Sequence, residues 1–152
     1  HRIGGLEKEV DTSNVSYEPT NHQIMGNLRA EIVAKVADLI PEQELEGDAT
    51  GDLLIVSWGG TYGATHQAVN KLRERGKKVS LMHMQYLNPM PKNTHELLQG
   101  FKKVVVCELN CGQLKNLLNA NYAIGAKGYN KVEGQPFKIR ELVQMMEKEL
   151  ES

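Results

Sequence analysis

Two cysteines, Cys107 and Cys111, are all that this sequence offers for covalent or metal stapling. A pair four residues apart makes no disulfide framework. Without a second pair it builds neither a four-cysteine zinc site nor an iron–sulfur cluster, and such sparing use fits a reducing compartment. Long apolar runs are missing as well: none approaches the ~18 residues that a membrane span needs, and no signal-peptide pattern opens the chain. Nor does one sign of charge dominate. With 18 basic and 19 acidic residues the net charge is −1, so the total carries no electrostatic footprint of nucleic-acid or membrane binding. These absences together read as a cytoplasmic protein. Its 152 residues suffice for about one domain with a real core. The chain opens on His1 rather than Met, which reads as a piece cut from a longer polypeptide.

What is present is organised around Leu53 to Gly63, LLIVSWGGTYG. An apolar run without polar alternation leads through Ser57 and Trp58 into Gly59 and Gly60, and a helical pattern then opens. That is strand, tight turn and helix, and a strand apolar on both faces belongs to a parallel sheet covered on both sides. The unit repeats downstream. A helix with Ala64, Ala68, Val69 and Leu72 stops at Gly76. A second strand, Val79 to Met84, leaves through the proline-punctuated loop Gln85 to Pro91. A short helix capped near Asn93 or Thr94 precedes the third strand, Val104 to Glu108. A turn at Asn110, Cys111 and Gly112 then leads to a helix with Leu114, Leu117, Leu118 and Tyr122. A weaker extended segment around Tyr129 to Val132 is followed by a last helix, with Ile139, Leu142, Val143, Met146 and Leu150 at helical spacing. Strands alternating with helices predict an α/β domain with right-handed crossovers and helices on both faces.

Residues 1 to 47 differ in character. GGLEKEVDTSNVSYEPTN is polar and rich in turn formers, so it reads as an extended arm. A helix follows, capped by Thr20 or Asn21, with Ile24, Leu28, Ile32, Val36 and Leu39 or Ile40 repeating up to Pro41. The stretch to Gly47 holds four basic and nine acidic residues, a net of −5, while Asp48 to Ser152 holds fourteen and ten, a net of +4. An acidic arm and helix (1–47) and an α/β domain (48–152) are therefore oppositely charged. The arm is either an ordinary solvated segment or one that lies across its own domain or a neighbouring subunit.

The glycine turn sits where a phosphate-binding loop would sit, since helix N-terminal amides favour anions. It is not a dinucleotide fingerprint. Trp58 stands where the first glycine belongs, and His83, Met84 and Gln85 close the second strand without an acid for a ribose. No Gly-Lys-Ser/Thr follows, which excludes a Walker loop. Close helix packing or a partner contact remain as explanations of the glycines. Glu108 and Asn110 lie at the carboxyl end of the third strand, with Gln113 at the next helix start; they serve either as ligand contacts or as caps of that helix. His66, His83 and His95 fall on different elements and read as solvated helix positions (His66, His95) and a core histidine (His83). Cys107 reads as a small buried apolar residue.

Five stretches taken together, HRIGGLEKE (1–9), WGGTYGA (58–64), YLNPMP (86–91), ELNCGQL (108–114) and GQPFKI (134–139), resemble the C-terminal part of the alpha subunit of 2-oxoacid:ferredoxin oxidoreductases of the 2-oxoglutarate type. The resemblance covers essentially the whole chain, and Cys111 departs mildly from an expected apolar residue. It implies a transketolase C-terminal-like domain, a three-layer α/β/α unit with a mainly parallel sheet of about five strands, one of them an edge strand, perhaps antiparallel, that the pattern above does not contain. It also implies a whole enzyme that decarboxylates 2-oxoglutarate on thiamine diphosphate with magnesium, passes electrons through an iron–sulfur cluster to ferredoxin and forms succinyl-CoA from coenzyme A.

In that setting the partners are the remainder of the alpha subunit and the beta subunit, with no nucleic acid and no membrane. The cofactors lie outside this chain, no metal ligand is assigned to it, and the isolated chain is expected to be inactive. Its task is structural and subunit-contacting. HRIGGLEKE would leave the catalytic domain. Gly59, Gly60, Thr61, Tyr62, Gly63, Glu108, Asn110 and Gln113 are the candidate partner or substrate-side contacts, none of them catalytic. The alternatives are a free-standing nucleotide-binding module and a protein-interaction module of another assembly.

Overall fold

A computed structural model describes residues 4–152; His1 to Ile3, which open the HRIGGLEKE segment, lie outside the described residues. The chain divides into two compact units, residues 1–40 with 88–90, and residues 41–87 with 91–152.

In the second unit the apolar runs become strands. β1 (Gly51–Trp58), β2 (Val79–Met84), β3 (Phe101–Glu108) and β4 (Lys127–Asn130) form one sheet in the order β2-β1-β3-β4. All pairings are parallel, with Ile55 opposite Leu81 on one side and Val105 on the other, and Val106 opposite Gly128. Side chains alternate between faces. Leu53, Ile55, Val79, Leu81, Val105 and Cys107 face α2 (Tyr62–Glu74) and α5 (Ile139–Glu151), which bring Ala68, Val69, Leu72, Leu142 and Met146 to the main core. On the opposite parity Leu54, Val56, Met82 and Val106 are equally buried, and α3 (Thr94–Gln99) and α4 (Gln113–Tyr122) cover them with Leu98, Leu114 and Leu118. Helices cover both faces of the sheet, as the alternation of strands and helices predicts, in the three-layer arrangement that the resemblance implies.

The strand count is four rather than five. Where an antiparallel edge strand was expected, the sheet carries an isolated antiparallel bridge, Glu46 to Leu81, closed by Glu46 N–H to Leu81 O and Leu81 N–H to Glu46 O at 2.9 Å each. Pro41 and the glutamates of this segment disfavour a longer ladder. The fourth strand is Lys127–Asn130 rather than Tyr129 to Val132, because the pairing with β3 is set by Tyr129 opposite Cys107, and it ends where Lys131 N–H bonds Glu108 O, at the last residue of β3, at 3.0 Å. Gly100 passes so close to Ala49 that a Cβ there would lie 2.5 Å from the Ala49 carbonyl oxygen.

In the first unit the polar opening is not an extended arm. Lys8 and Val15 form an antiparallel bridge, and buried Glu7 takes both guanidinium nitrogens of Arg29 at 3.0 and 2.8 Å. α1 spans Pro19–Lys35 and is followed by a 3-10 turn, Val36–Asp38. It starts at Pro19, with Glu18 as N-cap, instead of being capped by Thr20 or Asn21, because proline suits the first helical position. Its apolar residues Ile24, Leu28, Ile32 and Val33 are all exposed, and α1 buries none of its residues.

Candidate functional site

From β1 the chain crosses to β2 on one side, while β3 lies on the other, so the carboxyl ends of β1 and β3 flank the crevice where open parallel sheets take ligands. The stretch from Trp58 on β1 and that from Glu108 on β3 meet here. Trp58 shares parity with Leu54 and Val56, and its indole Nε1–H donates to Glu108 Oε2 at 3.2 Å. Glu108 is fully buried. It also accepts from Asn110 Nδ2 at 3.0 Å and from the backbone N–H groups of Leu114 and Lys115 at 2.8 and 2.9 Å. Asn110 Oδ1 accepts from Gly112 N and Gln113 N at 2.7 and 3.0 Å. Gly112 is the N-cap of α4, with φ +91°, so the four amides a helix leaves unsatisfied at its start are taken by these two side chains. Of the two readings of Glu108 and Asn110, the geometry is that of caps. Gln113 joins them through its backbone amide, while the residue itself is exposed.

The glycine turn behaves differently. Gly59 to Thr61 form a 3-10 turn leading into α2, Thr61 Oγ1 donating to Trp58 O at 2.8 Å. Gly59 has φ +58°, which favours glycine. A Cβ added at Gly59, Gly60 or Gly63 would meet nothing within 4 Å. Close packing within the described residues therefore does not account for these glycines. Tyr62 stands beside them, 41% exposed. The carbonyls of Thr61 and Tyr62 both accept from the buried Thr65 hydroxyl at 2.9 Å, which fixes the turn to α2.

A second cluster, which sequence reasoning missed, gathers on the other side of Tyr62. Ser57 Oγ lies 2.8 Å from His83 Nδ1, and Thr65 Oγ1 lies 3.2 Å from Ser57 Oγ. The Tyr62 ring packs on His83 and His66 with centroids 4.9 and 5.3 Å apart. His66 Nδ1 bonds Glu46, and its Nε2 lies 3.0 Å from Asn70 Nδ2. So His66 is not a solvated helix position. Its partner comes from the segment read as part of an acidic arm, 20 residues earlier, a spacing with no motif value. His95 is elsewhere, stacked on Tyr122 at 5.1 Å. The hydrogen bond that its hydroxyl donates to Glu46, then desolvation, raises the Tyr62 phenol above its ordinary value. Burial holds His83 below the ordinary imidazole range, against a smaller upward pull from Glu46. Among the described residues no group of three or more His, Cys, Asp or Glu side chains could hold a metal ion. Burial, then Glu108, push the Cys107 thiol far up, which leaves it an inert core residue.

The His83 shift gives a test. An imidazole depressed in the folded state binds its proton more readily when unfolded, so its contribution is complete above the unfolded value of about 6.5 and fades as pH falls toward the folded value. Thermal melting at about pH 7.5 and about pH 5 is expected to show a smaller acid-side loss in His83→Asn than in the unaltered chain. An identical loss in both would remove His83 from the account.

The family described as pyruvate:ferredoxin oxidoreductase core domain II matches residues 51–142. The 2-oxoglutarate oxidoreductase subunit KorA of Mycobacterium tuberculosis is 43% identical over 145 residues, 93% of this chain and 22% of that protein. A solved 2-oxoglutarate:ferredoxin oxidoreductase from Magnetococcus marinus, with 2-oxoglutarate, coenzyme A and succinyl-CoA bound, matches with a TM-score of 0.88 and 31% identity over 99% of this chain and 27% of that one. A split-gene transketolase matches with a TM-score of 0.50 and 22% identity over 67% of this chain and 39% of that one, a likeness of fold alone. The chain spans 22% and 24% of the length of two curated relatives it matches. No helix among the described residues is long and apolar enough to cross a membrane.

Proposed function

Because this chain belongs to the pyruvate:ferredoxin oxidoreductase core domain II family, we propose that it is the C-terminal domain of the alpha subunit of a 2-oxoglutarate:ferredoxin oxidoreductase. The observation that carries the reading is the match over 99% of the chain, at a TM-score of 0.88, to an enzyme solved with 2-oxoglutarate, coenzyme A and succinyl-CoA. The whole enzyme would decarboxylate 2-oxoglutarate on thiamine diphosphate, reduce ferredoxin and release succinyl-CoA. This domain would hold subunits together and shape the approach to the active site. The thiamine diphosphate, magnesium and iron–sulfur cluster would be held by other parts of the enzyme, while the start of α4 in this domain already binds its own carboxylate. That occupied crevice also disfavours the nucleotide-binding alternative.

The test is production of the complete alpha subunit with its beta subunit, with and without residues 48–152. The complete pair is expected to reduce ferredoxin with 2-oxoglutarate and coenzyme A. The shortened subunit should lose both beta association and turnover, and the 152-residue chain alone should be inactive. Turnover by the isolated chain, or full activity without the domain, would overturn the reading.

The glycine turn, Gly59, Gly60, Thr61, Tyr62 and Gly63, is the proposed partner-facing contact. Since a Cβ at Gly60 or Gly63 meets nothing within 4 Å among the described residues, Gly60→Ala and Gly63→Ala are expected to change the stability by about 0.5 kcal/mol or less. In the assembled enzyme the same variants should lower activity or beta-subunit affinity by on the order of tenfold. Unchanged activity would leave the turn without a partner role.

A further inference from the structure

At the carboxyl end of β2, within the second unit, lies a cleft of about 630 Å³. It is lined in part by Tyr62, Tyr86, His83, Glu42, Glu44 and Glu46, the last of these bonded to His66. None of the described residues lining it is lysine or arginine. We propose that this cleft docks an arginine side chain presented by a protein partner.

Four features support this. Tyr62 and Tyr86 are 41% and 39% exposed, so part of each residue, beyond what His66 and His83 cover on Tyr62, is accessible to a planar cation, which tyrosine attracts through its quadrupole. Glu42 and Glu44 have no cationic partner among the described residues. His83, tied to Ser57 and kept uncharged near neutral pH by burial, adds no repulsion. The glutamate-bearing wall is also held in advance. Gln43 exchanges hydrogen bonds with Asn93 at 2.9 Å in both directions, its side chain reaches His83 O at 3.0 Å, and Glu46 is bridged to Leu81. A wall fixed before binding loses little freedom on binding.

Arginine suits this lining better than lysine, because its planar fork can meet a carboxylate with two hydrogen bonds while its face lies on an aromatic ring. A protein-borne arginine suits it better than the free amino acid, whose own carboxylate would face three glutamates. The cleft is larger than one guanidinium head, so neighbouring residues of the partner enter with it. The inference concerns the chemistry of the cleft and stands whether or not the subunit assignment above holds.

The experiment is an NMR titration of the 152-residue chain with acetyl-Gly-Arg-Gly-amide, and with the matched lysine, citrulline and glutamate peptides. Citrulline keeps the shape of arginine and removes its charge. The arginine peptide is expected to shift the Tyr62, His83 and Tyr86 signals with a dissociation constant of about 1 mM. The citrulline peptide should bind about tenfold more weakly, and the lysine peptide about threefold. The exposed double variant Glu42→Gln, Glu44→Gln should weaken the arginine peptide by about fivefold to tenfold with an unchanged melting temperature, and Tyr86→Leu, which keeps the glutamates, should also weaken it. Equal affinity for arginine and citrulline, shifts confined to another face, or no loss in the glutamine variant would overturn the proposal.

Discussion

Replacing Glu108 by alanine is expected to destabilise the α/β unit by about 3 to 4 kcal/mol, more than any other polar substitution in it. The buried carboxylate holds the Trp58 indole, the Asn110 amide and two helix N-terminal amides at once. Alanine leaves these donors in a site that water does not enter, and each buried unsatisfied donor costs about 1 kcal/mol or more. For a chain of this length the loss corresponds to a fall of roughly 10 °C in melting temperature. Glu108→Gln should fall between the two, since its carbonyl oxygen still accepts while its amide meets donors. Urea unfolding followed through Trp58 fluorescence reports both variants, and the indole signal should change even before unfolding. A loss under about 1 kcal/mol in Glu108→Ala would mean that solvent or neighbours replace the carboxylate, and that the capping account is wrong.

Leu142→Ala should cost about as much for a different reason. Leu142 is fully buried where α5 meets α2 over the sheet, among Leu53, Ala68, Val69 and Leu72. Removing its three outer carbons loses transfer free energy and leaves a cavity that a close-packed layer fills only in part, which together amount to about 3 to 4 kcal/mol. Leu39→Ala, at a position 85% exposed, is the control, and it should stay within about 0.5 kcal/mol. The comparison separates burial from residue type. Equal effects at the two leucines would show that α5 is not docked as described.

Where packing is dense the elements were legible from residue pattern. Val79 to Met84 is the second strand as read, and Ile139, Leu142, Val143 and Met146 mark the docked face of α5, because strands and helices buried against one another must be apolar at their own period. β4 was misplaced by two residues at its start. It is a short, exposed edge strand, KGYN, whose position follows from pairing with β3, and pairing leaves little trace in composition. The apolar stripe of α1 was legible as a helix, but periodicity does not say what covers it. Asn110 and Glu108 could be read as caps because a carboxylate and an amide just before a helix have few other duties. Their link to Trp58 could not, since an indole reaching from the neighbouring strand depends on strand order. Glu46 and His66 were invisible for the same reason: their meeting is a product of tertiary structure, and charge counted over the first 47 residues averages it away.

The carboxylate that closes the crevice between β1 and β3 has a broader meaning. Doubly wound sheets generally lend that position to a guest, and a guest there must be bound and released. Here the anion is part of the polypeptide. It arrives when the strand forms, at an effective concentration no free metabolite reaches, and it never dissociates. What other architectures use as a turnstile has become a keystone, and the open glycines and the tyrosines stand at its rim.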